Sequence, residues 1–228
     1  MNLPIFPVRL VRENIALTEA LAEVGVRVRE GYVLFGIEVH LKEGKEPTVR
    51  LELEPGSTLG DALRQIFRQL PNYRFEIAGE RLINIYPVGA KEDPDDILNV
   101  HVARFDVVDE QPSSLLSRPK DFIPELKDRL TPERTGPPRP SGYFGVVPTG
   151  TGPTVTVHLR NVTVRQILNA VTEAMEEFPP DYMPVGWVYS FEGDPASPIG
   201  GEHSWMFHWS VPSSWKEEAA KSRNNPIP

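Results

Sequence analysis

The stretch that decides the fold is Val49–Pro87, VRLELEPGSTLGDALRQIFRQLPNYRFEIAGERLINIYP. Apolar and polar residues alternate at its start, which is the spacing of a strand with one buried face. After a Pro-Gly turn the apolar spacing becomes that of an amphipathic helix, and Ser57 or Thr58 stands where an N-cap belongs. Alternation returns after Pro71, and Gly79 turns the chain into a last apolar run. The stretch therefore predicts strand, helix, strand, tight turn and strand.

The helix start in this stretch recurs elsewhere in the chain. Leu17–Leu21 (LTEAL), Leu59–Leu63 (LGDAL) and Val164–Leu168 (VRQIL) share one apolar pattern, and another aliphatic residue follows each of them three positions later. The segment Phe122–Leu130 has helical spacing and would be a fourth, degenerate copy. The copies are irregularly spaced, which argues against a solenoid. We therefore predict an α+β fold of two tandem βαβ-βαββ-type modules, with helices packed on small mixed sheets.

Capping residues predict where individual elements begin. Asn14 is expected to cap the first helix, which Gly25 would end. Thr163 and Gln166 have the spacing of a capping box at the start of the helix that follows them. Alternating apolar residues predict a strand that begins at Leu98.

An acidic, proline-containing loop is the best domain boundary. We assign residues 1–90 to the first module, 91–97 to an acidic linker, 98–212 to a second and more divergent module, and 213–228 to a polar C-terminal tail. The 24 prolines among 228 residues indicate many loops and strand edges rather than long helices.

Composition argues against several functional classes. A formal net charge of −8 argues against nucleic-acid binding and against a polybasic membrane contact. The chain contains no cysteine, which excludes disulfides, thiol nucleophiles and cysteine-based zinc sites. No apolar run approaches the roughly 20 residues of a membrane-spanning helix. The segment Met1–Leu10 does not have the pattern of a signal peptide, so the protein is either cytoplasmic or Met1 follows a removed leader.

The first part of the chain resembles the short N-terminal (STN) domain shared by outer-membrane secretins and signalling TonB-dependent receptors. That family has an L-x-x-A-L helix, a turn and strand, a strand into a second T-L-x-x-A-L helix, and two closing strands. The matching segments follow in order: Leu17–Gly25, Val26–Val28, Val49–Leu53, Thr58–Leu63, Tyr73–Ile77 and Leu82–Ile85. The resemblance covers residues 8–87 well, whereas residues 98–211 match more weakly because their first helix lacks the A-L pair and their loops are longer.

The resemblance implies a non-enzymatic protein–protein interaction module of the bacterial cell envelope, periplasmic if a leader was removed. Its partner would be a protein, such as an envelope component, with no nucleic acid, no membrane insertion and no cofactor. The first alternative is a structural subunit that assembles with copies of itself, because strand edges of such modules can pair between chains. An enzyme, such as a small-molecule hydrolase, is the third alternative, and we do not predict one.

Histidines suggest a metal site, but their spacing argues against it. His40, His101 and His158 each belong to a different predicted strand, and His203 and His208 are five residues apart on opposite strand faces. No HxH or HExxH spacing occurs. We therefore predict no metal ligands.

Other chemical motifs are likewise absent or incomplete. The acidic loop with Glu92, Asp93, Asp95 and Asp96 lacks the spacing of an EF-hand and is expected to be a solvated linker. Gly150–Gly152 lacks the Lys-Ser or Lys-Thr pair of a phosphate loop and is expected to be a turn. No G-x-S-x-G elbow supports a nucleophilic serine. We predict no catalytic and no cofactor-binding residues.

Aromatic residues are concentrated on two predicted strands near the C-terminal end. They share the apolar face of a predicted hairpin: Trp187, Tyr189, Phe191, Trp205, Phe207 and Trp209. Core packing explains this face, with a ligand-stacking platform as the alternative. Trp215 lies beyond Pro212 and is the candidate partner contact, unless it folds back on the domain.

Overall fold

The residues that the structure describes form nine strands and five helices in an α+β arrangement. The computed structural model describes residues 9–25, 33–117, 119–127, 153–175, 186–192 and 202–208. The strands are β1 (Leu10–Ala16), β2 (Leu34–Leu41), β3 (Thr48–Leu53), β4 (Tyr73–Ile77), β5 (Leu82–Pro87), β6 (His101–Glu110), β7 (Val155–Thr163), β8 (Gly186–Glu192) and β9 (Glu202–His208). The helices are α1 (Leu17–Gly25), α2 (Leu59–Gln69), α3 (Pro112–Ser117), α4 (Pro119–Phe122) and α5 (Val164–Ala174). The four elements predicted from Val49–Pro87 are confirmed as β3, α2, β4 and β5.

One five-stranded sheet runs through both halves of the chain, in the order β4-β5-β2-β8-β9. Strand β2 is parallel to β5 on one side and to β8 on the other, whereas β4 and β9 are antiparallel to their neighbours. The β2–β8 register begins with Phe35 opposite Gly186. A Cβ on Gly186 would lie 1.8 Å from the Phe35 carbonyl oxygen, so this close approach requires glycine. Sequence periodicity does not specify this pairing between the halves.

Apolar side chains cover the two faces of this sheet with two separate cores. The first core contains α1, α2 and the odd-numbered residues of β2, and the second contains α5, β6 and β7. Strand β8 contributes to both, because Val188 packs into the first core while Trp187 and Tyr189 pack into the second. The central sheet is therefore the middle layer, with helices on both faces.

Each half also contains a two-stranded antiparallel ribbon with a bulge. The β1–β3 register shifts between Arg12 and Ile15, and the β6–β7 register shifts between Val107 and Glu110. A one-residue shift of this kind bends a strand and increases its twist.

The bulges contain Asn14 and Asp109, at φ values of 51° and 52°. Each lies three residues before the first helix of its half, at Leu17 and Pro112. The prediction that Asn14 caps the first helix is therefore wrong: it lies within β1, where its tolerance of left-handed backbone suits the bulge. The two halves repeat each other at this level of detail.

Capping boxes begin both long helices. Thr58 Oγ1 accepts from the Asp61 N–H at 3.2 Å, and Asp61 Oδ2 accepts from the Thr58 N–H at 2.9 Å. The box predicted for Thr163 and Gln166 is confirmed, with distances of 3.3 Å and 2.8 Å. These paired bonds satisfy amides that a helix start otherwise leaves unbonded.

Two predictions in the second half are corrected. In the described part of the predicted helix Phe122–Leu130, α4 ends at Phe122 and a 3-10 turn, Pro124–Leu126, follows, because Pro124 has no N–H to continue α4. Residues 128–130 lie outside the described part. The strand predicted from Leu98 begins at His101 instead. Leu98 lies in a 3-10 turn, where its N–H donates to Asp96 Oδ1 at 2.7 Å.

Several predicted features lie outside the described residues. They are Val26–Val28, Gly150–Gly152, Trp209 and Trp215. The module boundaries remain a prediction. Within the described part of the chain, none of the helices has the length and apolar character needed to cross a bilayer.

Candidate functional site

A buried ion cluster connects the two halves. Arg165, in the first turn of α5, places its Nη2 atom 2.9 Å from Glu38 Oε2 on β2 and 3.6 Å from Asp96 Oδ2. The exposed fractions of the Arg165, Glu38 and Asp96 side chains are 5%, 10% and 8%. The cluster therefore joins α5, the central sheet and the acidic loop in a nearly dry environment.

Two carboxyl groups share a single guanidinium in this cluster. Burial and the charge of Asp96 raise the pKa of Glu38 to about 8, although Arg165 opposes that shift. Burial also raises the pKa of Asp96. The pKa of the nearby Tyr189 hydroxyl is raised by burial and then by the two carboxylates. Burial therefore favours the protonated form of the carboxyl groups in this cluster.

The cluster is tightly packed rather than open. The guanidinium carbon of Arg165 lies 5.4 Å from the centre of the Tyr86 ring, a cation–π contact. Within the described residues, Arg165 Nε and Nη1 and Asn84 Oδ1 are buried without a hydrogen-bond partner. A Cβ on Gly36 would come within 2.4 Å of Asn84 Oδ1 and 2.5 Å of the Trp187 ring, so only glycine fits there. This close packing holds the two halves of the chain together.

The acidic loop was expected to be solvated, and Asp96 corrects that expectation. Sequence analysis missed two signals of this buried cluster. One is a charged residue within an apolar strand, and the other is a cation in the first turn of a helix. Glu38 lies between Ile37 and Val39, and Arg165 stands where the helix dipole disfavours positive charge. Either signal could have marked these residues as buried and paired.

One small cavity, about 20 Å³, lies within the second core. Apolar residues and one proline line it: Phe105, Leu115, Pro119, Phe122, Ile123, Leu126, Val164, Ile167, Leu168 and Val171. Its size corresponds to about one water molecule. The lining contains no titratable side chain that could do acid–base chemistry.

The outer edge of β3 is closed by two glutamines from α2. Gln65 accepts from the Glu52 N–H at 2.8 Å and donates to the Glu52 carbonyl at 3.0 Å. One turn later, Gln69 accepts from the Arg50 N–H and donates to the Arg50 carbonyl, both at 2.8 Å. Each side-chain amide thus makes the two bonds that a neighbouring strand would make. This edge is blocked against pairing with another chain.

The edge of β4 is built differently. No described strand pairs with its outer side. The Val88 N–H donates to the Asn72 carbonyl, and the Ala78 N–H donates to the Leu82 carbonyl. Because antiparallel bonds alternate along a strand, the even-numbered residues of β4 bond to β5. The main-chain groups of Phe75 and Ile77 therefore point away from β5, whereas the Tyr73 N–H donates to the Leu70 carbonyl at 3.0 Å.

Two residues of β4 therefore present unpaired backbone and apolar side chains together. Phe75 is half-buried and lies 5.2 Å from the Phe67 ring, between centroids. Ile77 is 63% exposed. An exposed strand edge flanked by apolar side chains is a docking element for another strand.

The histidines lie in strands, as predicted. His40, His101 and His158 lie in β2, β6 and β7. His158 Nδ1 is 2.9 Å from Asp106 Oδ1, and the His40 ring stacks on Phe191 at 5.6 Å. In the described ranges, no three His, Cys, Asp or Glu side chains come together as potential metal ligands.

The aromatic hairpin was predicted to be core, and among its described side chains Trp187 and Tyr189 are buried while Phe191 is half-buried. Trp187 is 1% exposed and Tyr189 is 4% exposed. Trp187 Nε1 donates to Asn169 Oδ1 at 2.7 Å, which satisfies its polar end. The β8–β9 pairing places Trp187 opposite Phe207.

Comparison with known proteins adds no relative: no family model, no curated protein and no solved structure matches the chain.

Proposed function

We propose that this chain is a non-enzymatic protein–protein interaction module of the bacterial cell envelope, which binds its partner along the outer edge of β4. The observation that carries the proposal is the contrast between two edges. Gln65 and Gln69 occupy the main-chain groups of β3, whereas Phe75 and Ile77 on β4 direct theirs outward. A chain that blocks one edge and leaves another accessible favours pairing at the second.

The chemistry of β4 suits the addition of a strand. Main-chain bonds to the outward groups would supply affinity for any extended segment, and the side chains next to them would supply selectivity. Ile77 offers an apolar contact, and Arg74 and Glu76 offer opposite charges on the other face of the strand. The envelope location is supported by the resemblance to STN domains in residues 8–87 and by nothing else in the chain.

The proposal is tested by capture from an envelope extract with the full chain immobilised. Ile77→Lys places a charge on the β4 edge, and Val108→Lys is its matched control, because the exposed fractions of Ile77 and Val108 are 63% and 62%. We expect a protein that the wild type and Val108→Lys retain and that Ile77→Lys loses. Ile77→Pro, which removes an outward N–H, should behave like Ile77→Lys.

Two results would reject the proposal. The first is that all variants retain the same proteins, so that the edge makes no difference. The second is that no variant retains any protein from the envelope fraction.

A further inference from the structure

We propose that the strand that pairs with β4 belongs to a second copy of this chain, in antiparallel register with Phe75 opposite Phe75 of the second copy. The inference rests on the proposed function in one respect, because both use the outer edge of β4. It goes further in naming the partner and the register of the pairing.

Main-chain geometry limits the possible registers. The outward groups belong to odd-numbered residues, so an antiparallel pair of β4 strands must place odd residues opposite odd residues. Registers centred on Arg74, Phe75 or Glu76 all satisfy this condition. Of these three, the register centred on Phe75 also pairs the complete strand, Tyr73–Ile77, with its counterpart.

Charge distinguishes among the three registers. Centring on Arg74 places two guanidinium groups opposite each other, and centring on Glu76 does the same with two carboxylates. Centring on Phe75 places Arg74 of each copy opposite Glu76 of the other, and it does so twice because the pairing has twofold symmetry. Directly opposed unlike charges stabilise a strand pair, whereas like charges destabilise it. The sequence YRFEI is thus complementary to itself in one register.

The apolar side fits the same register. Ile77, 63% exposed in one chain, would lie opposite Tyr73 of the second copy and beside the paired Phe75 rings. The sheets of the two copies would then continue into each other across the twofold axis. Because only five residues pair on each side, we expect a weak, reversible dimer rather than a permanent one.

Existing contacts of the charged pair define what must change on pairing. Arg74 Nη1 donates to the carbonyls of Pro71 and Tyr73 at 3.0 Å and 2.9 Å, and the Tyr73 N–H donates to the Leu70 carbonyl at 3.0 Å. On pairing, the Tyr73 carbonyl and the Tyr73 N–H must exchange these bonds for the N–H and the carbonyl of Ile77 of the second copy. The Glu76 carboxylate accepts from Lys91 Nζ at 2.7 Å and 2.8 Å. Glu76 keeps this bond while Arg74 of the second copy approaches from the open side.

Charge reversal tests the register by sedimentation velocity. Arg74→Glu alone and Glu76→Arg alone each place like charges opposite each other, so each variant should dimerise about tenfold more weakly than the wild type. A mixture of the two variants restores opposite charges at both positions and should form heterodimers with near wild-type affinity. A loss of folding in either variant could not produce this rescue.

Cysteine pairing tests the same register in a chain that contains no native cysteine. In a non-hydrogen-bonded antiparallel pair the Cα atoms lie about 4.5 Å apart, within the range of a disulfide. Mixed Arg74→Cys and Glu76→Cys chains should cross-link on mild oxidation, and each variant alone should cross-link far less. Cross-linking of Arg74→Cys with itself would indicate the register centred on Arg74 and would overturn ours.

The proposal is also overturned if the wild type remains monomeric at the highest attainable concentration, or if its dimer is insensitive to both charge reversals. A monomer that still retains an Ile77-dependent envelope protein would remove the second copy as partner and leave the proposed function standing. If the retained protein does not depend on Ile77 and the dimer is sensitive to charge reversal, the proposed function is rejected and the second copy stands as the partner of β4.

Discussion

Arg165 Nη2 lies 2.9 Å from Glu38 Oε2, although 127 positions separate the two residues in the sequence. The contact joins α5 of the second half to β2 of the first, inside the layer that both halves share. The side chains of Arg165 and Glu38 are only 5% and 10% exposed. Because the pair is buried, removing either residue leaves the other charge without a partner and destabilises the fold.

Replacing the cation of this cluster should destabilise the fold strongly. Arg165→Met keeps a long, flexible side chain but leaves the buried carboxyl groups of Glu38 and Asp96 without a counter-charge. We expect the free energy of unfolding in urea to fall by about 3 kcal/mol. Arg160→Met removes an exposed arginine of β7 and should change it by less than about 0.5 kcal/mol. Equal effects of the two substitutions would refute a structural role for the cluster.

Stability should decrease as the pH rises through the neutral range. The pKa of Glu38 is raised from 4.5 to about 8, so the folded chain binds more protons than the unfolded chain between these values. The stabilisation is therefore complete below about pH 4.5 and is lost as the pH rises through about 8. Asp96, whose pKa burial also raises, acts in the same direction. The slope cannot exceed roughly 1.4 kcal/mol per pH unit for one group.

Urea unfolding at a series of pH values measures this dependence. Glu38→Gln cannot titrate, so its free energy of unfolding should vary less with pH than that of the wild type. Glu80→Gln, at an exposed position, should follow the wild type. Asp61 does not interfere: hydrogen bonds from Thr58 lower its pKa to about 2, so its contribution is lost only as the pH falls below 3.8. Parallel curves for wild type and Glu38→Gln would contradict the assignment.

Removing the two edge glutamines should open a second docking edge. Gln65→Met with Gln69→Met leaves the main-chain groups of Arg50 and Glu52 without their side-chain partners. We expect a loss of about 1–2 kcal/mol in the free energy of unfolding and, in light scattering, assemblies larger than those of the wild type. Arg68→Met, at an exposed position of the same helix, tests whether added apolar surface alone causes association. Similar scattering from both proteins would count against the edge as the cause.

The two capping boxes should contribute similarly to stability. Thr58→Ala and Thr163→Ala each remove a hydroxyl that accepts from a first-turn amide, and each should cost about 1 kcal/mol. Thr154→Ala, at an exposed position outside any helix, serves as the control. Thermal unfolding followed by circular dichroism measures all three. A threonine-to-alanine change at Thr154 as costly as the other two would show that capping is not the reason.

Local pattern predicted much of this fold because local forces set it. The spacing in Val49–Pro87 and the pair Thr163 and Gln166 depend on neighbours within a few residues. Pro124 interrupts the segment Phe122–Leu130, whose apolar spacing favoured a helix, since proline has no N–H to donate. The misplaced cap at Asn14 has a similar origin: Asn suits both a helix cap and a bulge, and only the β1–β3 pairing decides between them.

The candidate sites were less accessible to sequence reasoning. No turn fixes the register of parallel strands such as β2 and β8, so the contact between Glu38 and Arg165 depends on a pairing that the sequence does not encode locally. The edge of β4 was anticipated only as one of several strand edges. Trp215, the single contact residue predicted from sequence, lies outside the described residues.

Strand β8 places Val188 in one core and Trp187 and Tyr189 in the other, so neither half has a core of its own that is independent of the other half. Removing either half would expose one face of β2 or β8 to solvent. It would also leave Glu38 or Arg165 at that newly exposed surface without its ion-pair partner. The chain should therefore unfold in a single cooperative transition, with both cores melting together.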